Sequence, residues 1–486
     1  MNADSRLMIL PTVALALALS LAARTVDAAT IVINNVNAAG VGFNDSATPD
    51  PSAGCDGGET IGDCRLRVFT QAADQWGALL QSPVTITING SMTALTCTTN
   101  SATLGQAGPL SLHADFANAP RAGTAYVQAE ANSLAGTDLS GSNDIQAQFN
   151  VSIDAGCLGG VSGWWYSTDP GIAVPNDRTP LLPVVFHEIG HGLGFTSLYD
   201  SSGNAYSAPS VPVWGYYLVD TSTMKTFKDM TSGERVAASI DDPNLVWAGP
   251  LTSEWAQKIL GNPVSAIINS PAGIAGAYPA QAAAFGPGVD TNPVTADVVL
   301  VDDGTGTTSD GCELPFVNAS SLPGKIALID RGSCNFTVKV KNAQDAGAVG
   351  VLVANNVASG LSPMGGSDPT ITIPSLGTSQ ALGTSIKANL PGVNASLALD
   401  LNSLAGTDSG CVRMYAPNPF EGGSSVSHFS KDAFPNLLME PALNRTIFDK
   451  VDLTLPLFRD IGWKTGFQDI MFLGTFDPNP CTFVQP

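Results

Sequence analysis

The chain has 486 residues, of which 44% are hydrophobic and only 13% charged, with 50 glycines, 33 prolines and a formal net charge of −21. This length asks for two or three domains rather than one. The composition fits a strand- and loop-rich exported protein. The negative charge argues against nucleic acid or an anionic membrane as a partner, because phosphate would be repelled.

Residues 1–28 read as a signal peptide: Arg6 supplies positive charge, Leu7 to Ala23 form an apolar core, and Val26-Asp27-Ala28 offers small residues for cleavage. A retained anchor is the alternative, but the apolar core is short for a span. No later segment is long and apolar enough to cross a bilayer, so a secreted protein without a stable membrane anchor is expected. Thr30 to Asn34 then reads as a strand, and Leu66, Phe69, Ala73, Trp76 and Leu80 mark one face of an amphipathic helix. Pro83 to Asn89 alternates like a strand. So does Ile145 to Ile153, where Ile145, Ala147, Phe149, Val151 and Ile153 alternate with polar residues. Thr179 to Phe195 is expected to be a buried helix, ended by Gly192 and Gly194.

Near residue 268 the chain turns Ala/Gly/Val-rich and stays so to about 402. Within this stretch Ile326–Asp330 and Gly350–Ala354 read as buried strands, Phe336–Ala346 as a helix and Ile371–Ser375 as a further strand end. This strand–helix–strand unit stands between segments of different character, as an inserted domain would. The run Gly324-Lys-Ile-Ala-Leu-Ile-Asp-Arg-Gly-Ser-Cys-Asn-Phe336, followed by Ala343, Ala346-Gly347-Ala348 and Gly350-Val351, resembles a protease-associated (PA) domain. That resemblance implies an α/β module without chemistry of its own, contacting substrate or another protein, or serving as a spacer.

The chemistry lies in His187-Glu188-Ile189-Gly190-His191, within a chain that has four histidines in all. Imidazoles four residues apart on a helix face one way and can hold one metal ion, and the glutamate between them can move the proton of an activated water. A catalytic zinc needs three protein ligands and an open position. The third is His428 or His113, unless an acid such as Asp200 or Glu234 serves. One catalytic Zn2+ is expected; calcium is possible but lacks any EF-hand-like spacing.

His191 is followed by Gly192-Leu193-Gly194-Phe195, which is similar to the HExxHxxG start of the metzincin peptidases. The short form of that motif is broken, because Ser197 stands where its third histidine would be. Downstream, Ser425-Val-Ser-His-Phe429, Pro435-Asn-Leu-Leu-Met-Glu-Pro441, Val451-Asp-Leu-Thr454 and Leu457-Phe-Arg-Asp-Ile-Gly-Trp463 resemble the leishmanolysin-like branch, in which a long insertion precedes the third histidine. The resemblance implies His187, His191 and His428 as zinc ligands, Glu188 as catalytic base, and Met439 as the methionine turn beneath the metal. The expected fold is α+β: a metzincin-like domain with a twisted mixed sheet and an active-site helix (29–267 and 403–486), interrupted by a PA-like α/β insert (268–402).

Eight scattered cysteines in an exported chain favour disulfides, paired by proximity as Cys55–Cys64, Cys97–Cys157, Cys312–Cys334 and Cys411–Cys481. The whole reads as a secreted zinc endopeptidase acting on proteins or peptides. A zinc aminopeptidase and a non-enzymatic adhesion protein with a structural site remain the other readings. A substrate strand could align on Ile145 to Ile153 by main-chain hydrogen bonds.

Overall fold

The computed structural model describes residues 28–466 and Cys481, apart from 359, 362, 444, 446 and 448–451. The signal-peptide segment, Ala28 excepted, lies outside the described residues. The first sheet contains β1 (Ile31–Asn35), β2 (Ile86–Thr93), β3 (Gly105–Pro109) and β4 (Ile145–Asn150), in the order β1-β2-β4-β3. β1, β2 and β4 are parallel, and β3 forms an antiparallel edge beside β4.

Two readings from alternation change here. β4 stops at Asn150 because its side chain accepts the Ser152 N–H and turns Val151–Ala155 into a short 3-10 helix. β4 is also paired on both sides, so its ladder has nothing left to offer a substrate. Of the two edge strands, β1 and β3, it is β3 that borders the cleft. Its sequence, Gly-Gln-Ala-Gly-Pro, carries no alternation and gave no strand signal.

Helix α1 (Ile61–Leu79) starts at a capping box, in which Thr60 accepts the Asp63 amide and Asp63 accepts that of Thr60. It buries Val68, Phe69, Ala72, Ala73 and Trp76 against the sheet and the second helix, α2 (Leu181–Gly192). The Phe69 and Phe149 rings meet edge-on at 4.6 Å, and Trp76 Nε1 donates to the Phe186 carbonyl. α2 is shorter than the expected span. Thr179 and Pro180 pair as a strand with Trp164 and Trp165, and the chain leaves the helix at Leu193. A Cβ on Gly192 would stand 2.4 Å from the Ile145 side chain, so glycine there lets α2 lie directly on β4.

The insert is an eight-stranded sheet. Its strands are β5 (Val264–Ser270), β6 (Gly276–Pro279), β7 (Gln281–Ala282), β8 (Val294–Leu300), β9 (Ile326–Asp330), β10 (Gly350–Ala354), β11 (Ser375–Thr378) and β12 (Asn394–Leu399). Their order is β6-β5-β12-β8-β9-β10-β11-β7. One face buries Ile326, Leu328 and Leu352 beneath α4 (Gln380–Ala388), and the other buries Ala327, Ile329 and Val353 beneath α3 (Phe336–Asp345). Residue 268 falls inside β5, so the sheet begins ahead of the composition shift. β11 starts at Ser375 rather than Ile371, because Pro374 has no N–H to give the ladder. The two ends of the insert lie side by side: the Asp400 amide donates to Pro263 and that of Ala405 to Gly261.

The disulfides are Cys55–Cys64, Cys97–Cys157, Cys312–Cys334 and Cys411–Cys481. The first clamps the entry to α1. The last ties a residue near the C-terminus to the strand Cys411–Arg413.

Candidate metal centre and active site

α2 presents His187, Glu188 and His191 toward a cleft of about 880 Å³. His428 arrives from the far end of the chain. Its Nε2 lies 3.2 Å from that of His187 and 3.1 Å from that of His191, and the two α2 nitrogens are 3.1 Å apart. Two nitrogens about 2.0–2.1 Å from a tetrahedral zinc are about 3.3 Å apart, so this triangle is of the right size.

The second ring nitrogens decide the proton positions. Each Nδ1 contacts a backbone carbonyl, Leu438 for His187 (2.7 Å), Phe195 for His191 (2.7 Å) and Ser424 for His428 (2.8 Å). A carbonyl only accepts, so each Nδ1 carries the hydrogen and each Nε2 turns a bare lone pair inward. Three lone pairs facing one another cannot hydrogen-bond among themselves. Their donor set suits a borderline-soft divalent cation such as zinc.

Burial holds the imidazoles neutral: His187 is pushed down to about 4 and His191 to about 3, while His428 lies well below the usual range. The neighbouring imidazoles add to the effect on His191 and His428. A group whose folded pKa is lowered stays deprotonated until the pH falls to that value. Zinc affinity is therefore expected to change by less than about tenfold between pH 7.5 and 5.5. Three ordinary imidazoles with a pKa of about 6.5 would lose about a thousandfold over that range. Competition with a chelator across this window checks it, and a loss near a thousandfold would contradict the buried neutral trio.

Burial pushes Glu188 up to about 8, opposed by the backbone amide of Ala107 on β3. A divalent charge at the imidazoles would favour its carboxylate form. Gly105 brings the edge strand this close: a Cβ there would meet the Glu188 side chain at 3.0 Å and Phe149 at 2.7 Å.

Met439 is fully buried under α2 and faces Gly190, where a Cβ would come 3.0 Å from its sulfur. Its neighbour Leu438 supplies the carbonyl for His187, and its own carbonyl accepts from the Phe429 amide at 2.8 Å. Gly194, at φ +122°, turns the chain back so that the Phe195 carbonyl reaches His191. Trp463 and Trp214 donate to the carbonyls of Leu193 and Gly194.

Ser197 stitches this turn to the segment bearing His428: its amide donates to the Ser427 hydroxyl at 3.1 Å. The other ligand candidates are elsewhere employed. His113 lies beside the Ser111 hydroxyl. Asp200 accepts the amides of Ser202 and Asn204, and Glu234 caps its own helix and pairs with Lys225. Among the described residues, the remaining clusters of ligand-type side chains contain disulfide-bonded cysteines.

Two residues went unsingled in the sequence. Asp452 accepts the Leu438 amide and both the amide and the hydroxyl of Thr454, tying the segment that bears Met439 to α5 (Thr454–Ile461); burial pushes it up to about 6. Its neighbour Val451 lies outside the described residues. Glu440 lines the cleft, and its pKa is pushed up to about 7, again by burial.

Comparison with known proteins identifies one module. Residues 294–386 match the PA domain family model. The chain is 47% identical over 70 residues to an aminopeptidase of Pseudomonas aeruginosa, covering 14% of this chain and 13% of that protein. It is 32% identical over 162 residues to vacuolar-sorting receptor 1 of Pisum sativum, covering 30% of this chain and 25% of that one. A solved zinc aminopeptidase from Bacillus subtilis, BSAP, is 24% identical over 32% of this chain and 36% of its own, with a TM-score of 0.21. The chain thus spans only a small part of each relative, and a score that low carries no argument about shared fold. His187 and His428 are 241 residues apart. A match of 70 or 162 residues does not take in both, so these likenesses say nothing of the histidine site as a whole. The PA domain sits between its two halves.

Proposed function

We propose that this chain is an exported zinc endopeptidase of the leishmanolysin-like metzincin type, with its PA domain inserted between the second and third metal ligands. The observation that carries this is the inward-facing Nε2 triangle with Glu188 beside it. His187, His191 and His428 would hold the ion. Zinc bound there supplies Lewis acidity, polarising a carbonyl and bringing the pKa of a water toward about 7. Glu188 takes the proton of the attacking water and delivers it to the leaving amine. The free edge of β3 lines the same cleft, and an extended peptide would add to it as a further strand, held by main-chain hydrogen bonds. Four disulfides fit an oxidising, extracellular setting. No described helix is long and apolar enough to cross a membrane.

An aminopeptidase is the second reading, favoured by the names of sequence relatives that match over short stretches. Substrates separate the two. The zinc-loaded protein is expected to cleave casein and end-blocked peptides at internal bonds, with no more than trace release from aminoacyl anilides. Efficient anilide hydrolysis with intact casein would overturn the endopeptidase reading in favour of the second.

A further inference from the structure

We propose that Glu440 is the specificity residue of the cleft, taking an ammonium or guanidinium group of the substrate. This rests on the reading of the cleft as a peptidase site. Glu440 follows the methionine turn and is only 5% exposed, yet it lines the cleft. Its Oε1 accepts the Leu437 amide at 2.9 Å, while the second carboxylate oxygen has no hydrogen-bond partner among the described residues. That oxygen is not sealed in the interior either, since it is absent from the fully buried unpaired atoms.

The same stretch of chain also lines the cleft with apolar Leu438, Pro441, Leu443 and Ile447. The described residues lining the cleft include three carboxylates, Glu188, Asp200 and Glu440, and neither lysine nor arginine. Glu188 belongs to the catalytic centre, and Asp200 spends one oxygen on its own loop. Asp200 and Glu440 each have no ion-pair partner among the described residues, but Asp200 is half-buried whereas Glu440 is buried, so Glu440 is the carboxylate that loses most by standing unpaired.

A carboxylate held in an apolar wall is costly unless a cation joins it, so a cationic ligand relieves a penalty that a neutral one leaves standing. The methylene stem of lysine or arginine suits the same wall. The net charge of −21 draws cations toward the protein as a whole.

Binding tests this without relying on turnover. The full zinc-loaded chain carrying Glu188→Gln is titrated with an N-acetylated, C-amidated peptide containing one arginine, and with the same peptide containing citrulline. A third peptide has neutral side chains and a free N-terminus, which separates a side-chain cation from an α-ammonium. The arginine or the free-amine peptide should bind at least about tenfold tighter than the blocked citrulline peptide. Adding Glu440→Gln, which keeps an acceptor for the Leu437 amide, should remove that advantage. Equal binding of all three peptides, no peptide binding at all, or equal weakening of all three by Glu440→Gln would overturn the proposal. Where the second variant does not fold, the comparison in the parent decides. Casein cleavage by the wild-type protein reports separately on the peptidase reading.

Discussion

Replacing Glu188 by glutamine is expected to lower kcat/KM on protein substrates by about 10²–10⁴-fold, the range of a lost general acid–base residue, with one zinc still bound per chain. Glutamine has the same length, so the packing of this side chain against Gly105 is kept. What it loses is the capacity to accept a proton from the attacking water. The three imidazoles are oriented by the carbonyls of Leu438, Phe195 and Ser424 rather than by the Glu188 carboxylate, so the metal site should persist. Steady-state kinetics with metal analysis of the same sample reads both quantities. Activity within about threefold of wild type with zinc in place would mean that Glu188 is not the base. Unchanged biological function in an inactive variant would favour the adhesion reading.

His428→Ala should weaken zinc binding by more than about 100-fold. Loss of an outer partner of a metal ligand already costs 10–100-fold, and here a ligand itself would be removed. Alanine also abandons the Ser424 carbonyl and leaves the lone pairs of His187 and His191 without their third neighbour. The His428 backbone carbonyl still accepts the Tyr415 amide, and Phe429 still donates to Met439, so the segment itself has reason to stay in place. Chelator competition on wild type and variant gives the ratio, and circular dichroism checks the fold. Zinc affinity equal to wild type would remove His428 from the ligand set and return attention to an acid.

Much of this was legible in short windows. The spacing of His187 and His191 encodes a shared helix face, and β9 and β10 have the bounds their apolar runs suggest, because a buried strand announces itself in four or five residues. The helix ends were less legible. Thr179 and Pro180 look like a continuation of α2 until Trp164 and Trp165 pair with them. β3 was not legible at all, since its glycines are there for close approach to Phe149 and Glu188 rather than for strand propensity.

The sequence by itself determined the two-histidine helix, the glutamate within it and the PA module, because each depends on neighbours along the chain. Counting histidines left His428 beside His113 as third-ligand candidates, and only resemblance chose His428 and offered Met439. Bringing the third Nε2 to within 3.2 Å of the others required the methionine turn to pack beneath Gly190, Ser197 to meet Ser427, and Asp452 to hold the Leu438 amide. The place of the β3 edge along the cleft and the burial of the Glu440 carboxylate, with no ion-pair partner among the described residues, are likewise products of assembly. Whether a backbone edge stays free or a charge goes unpaired depends on what the rest of the chain packs beside it, and local composition does not encode that.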